Sequence, residues 1–105
     1  MDGLGFVVSR NGNDHTFVLA GELDVRTRTI LLESFHLPSL AGRNLVLDLS
    51  DVTFVDSSGL SALVNGHADA TGAGVRFVVD NPTPLCVRLF EATGLTELLL
   101  RPAAT

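Results

Sequence analysis

The stretch Leu45-Val46-Leu47-Asp48-Leu49-Ser50-Asp51-Val52-Thr53-Phe54-Val55-Asp56-Ser57-Ser58-Gly59-Leu60 decides the fold. With Asn44 before it, its opening as far as Leu49 is mostly apolar on both alternating faces, which predicts a strand covered on both sides. Leu60, Leu63, Val64 and His67 then recur at helical spacing, which predicts a helix from about residue 58 to residue 70 that Thr71-Gly72-Ala73-Gly74 terminates. Polar residues crowd the junction: Asp48, Ser50, Asp51, Thr53, Asp56, Ser57, Ser58 and Gly59.

Outward from this strand and helix, the pattern repeats. Upstream, Phe6 to Ser9 and Thr16 to Ala20 are rich in Val, Phe and Thr, and Asn11-Gly12-Asn13-Asp14 between them tolerates the left-handed conformations of tight turns. They predict an opening β-hairpin. Asp24 can accept hydrogen bonds from the free N–H groups of a following helix, and Thr27, Leu31, Ser34 and Phe35 place that helix near residues 25 to 36, before Pro38. Downstream, Val75 to Val79 predicts a further buried strand. Thr83-Pro84 starts a helix whose inner stripe is Cys86, Leu89, Phe90 and Thr93 and whose stop is Gly94. Glu97 to Leu100 is compatible with a short strand or more helix, and Pro102 ends either. Strands alternating with helices imply crossover units: an α/β domain with a mixed, mostly parallel sheet of about four or five strands.

Composition sets the outer limits. The 105 residues form one acidic domain, with 7 basic residues, all arginine, against 12 acidic ones and a formal charge of -5. No basic cluster points to nucleic acid. No apolar run approaches the ~20 residues of a membrane span, and the first residues lack a basic leader segment, so a soluble, cytoplasmic chain without membrane insertion is expected. The single cysteine, Cys86, forms no internal bridge and no paired-cysteine redox or zinc motif; a small buried hydrophobe is its simplest reading.

Chemical motifs are few. Taken alone, Asp56-Ser57-Ser58-Gly59 reads as a helix cap followed by a glycine that permits close packing. A hydrolase elbow needs glycine two residues before its serine, but Val55 and Asp56 hold those places for Ser57 and Ser58. The histidines, His15 in an expected turn, His36 at a helix end and His67 on an apolar stripe, have no spacing that predicts a base beside either serine. Gly72-Ala73-Gly74 follows a helix and opens a strand, the reverse of a dinucleotide fingerprint. No catalytic residue, metal site or cofactor is predicted.

The segment from Leu45 to Leu60 closely resembles the signature of STAS-domain anti-sigma factor antagonists. Gly21-Glu22-Leu23-Asp24 and Arg88-Leu89-Phe90-Glu91-Ala92-Thr93-Gly94-Leu95 resemble two further motifs of that family, in the right order across residues 6 to 100. The resemblance implies a single STAS domain over residues 1 to 105 and a non-enzymatic partner-switching role. The unphosphorylated antagonist would bind an anti-sigma factor that is also a serine kinase, freeing a sigma factor. Phosphorylation would release the kinase, and a phosphatase would restore the antagonist.

Carried over by position, the acceptor is Ser57, and Asp24, Asp56, Ser57, Ser58 and Gly59 form the partner-binding set. Asp24 is expected to cap its helix while presenting its other oxygen to the partner. A monomer is expected for the free protein. Many family members carry a basic stretch in the second half of the helix after the serine, where this chain has Val64-Asn65-Gly66-His67-Ala68-Asp69-Ala70. Gly66 in that helix implies fraying or close packing. A non-catalytic STAS scaffold in a transporter-associated or stress-signalling complex is the alternative.

Overall fold

The computed structural model describes residues 3 to 100. Its order is β1 (Leu4–Asn11), β2 (Asp14–Leu23), α1 (Arg28–Glu33), a 3-10 turn (Leu37–Leu40), β3 (Asn44–Val55), α2 (Ser57–Gly72), β4 (Arg76–Asp80), α3 (Pro84–Thr93) and α4 (Thr96–Leu99). The four strands form one sheet in chain order. β1 runs antiparallel to β2, and β2, β3 and β4 are mutually parallel. Leu100 then makes a parallel bridge to Val79, so the final segment is helix followed by an isolated strand residue. The expected end at Pro102 lies outside the described residues.

Because the strand order steps in one direction, right-handed crossovers bring α1 and α2 to the same face of the sheet. The core follows from strand parity: Phe17, Leu19, Leu45, Leu47, Phe77 and Val79 share that face and join Leu31, Leu63, Cys86, Phe90 and Leu99 from the four helices in one cluster. Cys86 is fully buried, as its helical stripe requires. Val46 and Val78 point the other way and stay outside this cluster.

Three expectations are corrected. The helix expected over residues 25 to 36 is six residues long. Val25, Thr27, Thr29 and Ile30 are β-branched and stiff at χ1, residues 25 to 27 form a turn, and the Ser34 hydroxyl donates to the Leu31 carbonyl at 2.7 Å at the other end. β3 continues to Val55, six residues past the expected strand. Its polar residues crowd the expected strand–helix junction, yet Ser50, Asp51 and Thr53 are exposed strand positions, and register shifts between Val18 and Ala20 and between Gly21 and Glu22 absorb the irregularity. His15 lies in β2 rather than a turn and is buried.

The second and third helices match their signals closely. Thr83 Oγ1 accepts from the Cys86 N–H at 3.3 Å, with Pro84 opening the helix and Gly94 at φ 73° closing it. Gly66 is a packing glycine: a Cβ there would lie 3.1 Å from the Phe77 ring, which is itself in edge contact with Phe35 and His67.

Candidate functional site

The site forms where β2 and β3 end side by side. Leu23 pairs with Val55 in register, and the Asp56 N–H donates to the Leu23 carbonyl at 3.1 Å. One residue further on, the chain turns into α2, and Gly59 lies directly on the Leu23 backbone. A Cβ at Gly59 would sit 2.0 Å from the Leu23 carbonyl oxygen, so only glycine lets the first turn of α2 meet the strand end. This close approach brings the segment after Leu23 beside the segment after Val55, although 32 residues separate Asp24 from Asp56 in sequence.

Asp56 is the N-cap of α2: its Oδ1 accepts from the Gly59 N–H at 2.9 Å. Ser57 is the first helical residue and is exposed; Ser58 is half-buried and Gly59 buried. The Ser57 hydroxyl makes no hydrogen bond among the described residues, and the N–H groups of Ser57 and Ser58 are left without acceptors. An exposed hydroxyl thus stands at the positive end of a sixteen-residue helix.

Asp24 is buried, 6% exposed, and both of its oxygens are engaged. Oδ1 accepts from the Arg26 N–H at 2.9 Å and the Thr27 N–H at 3.2 Å, which caps the turn before α1 rather than the helix itself. Oδ2 accepts from the Arg26 guanidinium, Nη2 at 2.9 Å and Nε at 3.2 Å. The expectation that this second oxygen faces a partner is therefore corrected: Arg26 holds it, and what the loop presents outward is the arginine, whose side chain is 55% exposed. The guanidinium also reaches Glu22 Oε1 at 2.9 Å. The Arg26 hydrogen bond, against the opposing effect of burial, keeps the Asp24 carboxyl below its usual range, and the same contact raises the arginine. Thr27, almost wholly buried, closes the knot by donating to the Glu22 carbonyl at 2.7 Å and accepting from the Asp24 N–H at 3.0 Å.

Two apolar side chains near this junction are exposed: Val25, in the Asp24 loop, and Phe54, paired in register with Glu22 and three residues before Ser57. Sequence reasoning missed Val25, Arg26 and Phe54. For Val25 the signal was a β-branched residue inside the polar run Asp24 to Arg28; Arg26 and Phe54 carried none. Asp48 and Ser50, by contrast, belong to a structural brace. Asp48 Oδ1 accepts from the Ser50 N–H and hydroxyl at 2.9 and 2.7 Å, and Oδ2 from the Asn81 side chain at 2.9 Å. Burial would raise the Asp48 carboxyl, but these hydrogen bonds outweigh it and hold the group low. No group of three or more His, Cys, Asp or Glu among the described residues could hold a metal ion.

Comparison with known proteins bears on the family and the fold. The sequence matches the "Mlab, STAS domain" family over residues 6–101. The chain belongs to the STAS domain family. Among curated relatives, this STAS domain is 32% identical over 92 residues to an anti-sigma-B factor antagonist of Bacillus subtilis, covering 88% of this chain and 84% of that protein. Among solved structures, it superposes on an anti-sigma factor antagonist from Mycobacterium paratuberculosis with a TM-score of 0.72 and 25% identity, over 95% of this chain and 86% of the other. The anti-sigma factor antagonist SpoIIAA in its unphosphorylated form shares the fold at a TM-score of 0.68 and 18% identity, over 94% and 89% of the two chains. No helix among the described residues of this STAS domain is long and apolar enough to cross a membrane.

Proposed function

We propose that this chain is a cytoplasmic anti-sigma factor antagonist. In its unphosphorylated form it binds an anti-sigma factor with serine kinase activity and so releases a sigma factor; phosphorylation of Ser57 switches it off, and a phosphatase restores it. The role is regulatory, and ATP and Mg²⁺ belong to the kinase. The observation that carries the reading is Ser57 itself: an exposed, unbonded hydroxyl directly after the Asp56 cap, at the start of α2.

A phosphate there adds roughly -1.5 to -2 charges and three acceptor oxygens. The domain accommodates it, because the free N–H groups of Ser57 and Ser58 and the helix dipole favour an anion. A partner docked over Val25, Phe54 and Ser57 does not, since the new charge must be desolvated at the contact. Asp24 serves this surface through Arg26, whose exposed guanidinium it fixes in place. Asp56 and Gly59 serve it by setting the start of α2 against Leu23.

Phosphopeptide mapping after incubation with the cognate kinase and ATP tests the assignment. Modification of Ser57 is expected; phosphate found only on Ser58 or on a threonine overturns it. Ser57→Ala should bind the kinase at least as well as the parent and resist release by ATP.

A further inference from the structure

At the other end of the sheet from Ser57, the helix layer stops short of β1. Phe6 and Val8 point to the helix side of the sheet, since they pair in register with Leu19 and Phe17, yet they are 39% and 50% exposed. The six-residue α1 and the 3-10 turn after it leave an open cavity of about 610 Å³ against this strand. Its apolar side is Phe6, Val8 and Phe17, with the Phe6 and Phe17 rings 5.5 Å apart. Small-molecule sites have this size and this mixture of apolar wall and few polar groups.

The polar side is basic or neutral, with Ser34, His36 and Ser39 beside the basic groups. Arg10, His15 and Arg43 line the cavity, and no acidic side chain does. Neither guanidinium makes a side-chain hydrogen bond or an ion pair among the described residues, in a chain whose formal charge is -5. His15 is 8% exposed, and its Nε2 is buried without a hydrogen-bond partner among the described residues. Arg10 pairs in register with His15, and Arg43 lines the same cavity; burial, with the charges of both arginines, lowers the basicity of this imidazole. Two unpaired guanidinium groups and an unsatisfied ring nitrogen beside an apolar wall are complementary to an anion carrying an apolar body.

We propose that this cavity binds a small anionic amphiphile, with its chain or ring on Phe6, Val8 and Phe17 and its carboxylate or phosphate head on Arg10 and Arg43. The site is separate from the Ser57 surface, so it stands or falls independently of the switching role.

Amide NMR titration of the full chain with octanoate and with octyl phosphate tests this, and the stronger of the two identifies the head group. Either ligand should saturably shift the amides of Phe6, Val8, Arg10 and Arg43 while leaving Ser57 to Gly59 in place. Octanol, acetate and octylammonium should each bind at least about tenfold more weakly, the loss expected when a charge-assisted contact or the apolar body is removed. Arg10→Gln/Arg43→Gln, with the dispersed spectrum of a folded protein, should lose about tenfold or more in affinity for the anionic ligand. The proposal is overturned if neither anionic ligand gives saturable shifts, if octylammonium binds as well as octanoate, or if the double variant binds unchanged. It is also overturned if the same amides shift with protein concentration alone, which would mean that a second copy occupies the cavity.

Discussion

The two ends of the sheet differ in how tightly they are built. At the Ser57 end, a backbone carbonyl, a capping carboxylate and an arginine-bound aspartate fix two loops against each other with almost no free space, Gly59 meeting Leu23 within a methyl group's reach. At the other end, β1 has a face turned towards a helix layer that does not arrive, and a buried imidazole nitrogen lacks a partner among the described residues. The tight end holds an exposed surface on which the proposed modification would act by charge. The loose end keeps volume that a ligand can take.

The strongest way to break this contrast is to add a methyl group at the tight end. Gly59→Ala should destabilise the fold by about 3 kcal/mol or more, since strand or helix must move as a unit to admit the Cβ. Gly72→Ala, where a Cβ meets nothing within 4 Å, should leave stability unchanged or raise it by up to about 1 kcal/mol. Urea denaturation of both variants measures the difference, and equal effects would mean that the strand-end contact is not restrictive.

Next in size is charge at the same end. Ser57→Asp should lower affinity for the kinase partner by about tenfold or more, an effect of 1.4 kcal/mol per decade, while shifting unfolding free energy by less than about 1 kcal/mol. Calorimetric titration beside thermal melts separates repulsion from unfolding; a variant that binds normally removes the proposed switch.

Smaller effects follow from titration. The folded Asp24 carboxyl titrates below its ordinary value, so its contribution is present at neutral pH and lost as pH falls through the carboxylate range towards the folded value. Asp24→Asn should therefore melt lower than the parent at pH 7, and the gap should narrow in acid below about pH 4. His15 gives the opposite end its own signature. Its folded value lies below 6.5, so below that pH the unfolded chain binds the extra proton first and stability falls as pH drops, until the folded imidazole titrates as well. Thermal melts between pH 7 and 5 should show this slope in the parent and less of it in His15→Gln.

The two ends were unequally legible in the sequence. Asp56-Ser57-Ser58-Gly59 and Thr83-Pro84 declare helix starts by local chemistry, and the structure places both starts within a residue. The length of β3 was hidden because Ser50 and Asp51 look like turn residues, and only pairing with β2 through two irregularities makes them strand. The role of Arg26 was hidden because a carboxylate two residues earlier can equally be a free cap. The basic cavity had no linear signal. Arg10, His15 and Arg43 are scattered in sequence, and the space between them exists because α1 is short, a property of packing and not of any motif.

The order β1-β2-β3-β4 means that every strand docks on the one made just before it. A chain emerging from the ribosome can form the hairpin first, add β3 to it, and seal Leu45, Leu47 and Leu49 only when α2 and β4 follow. Until then the strand with the largest number of apolar residues is paired on one edge and bare on the other. The interval between the emergence of Val55 and that of Asp80 is therefore when this protein is most exposed to association with its own nascent copies, and pulse-labelled hydrogen exchange should protect the hairpin amides ahead of those in β4.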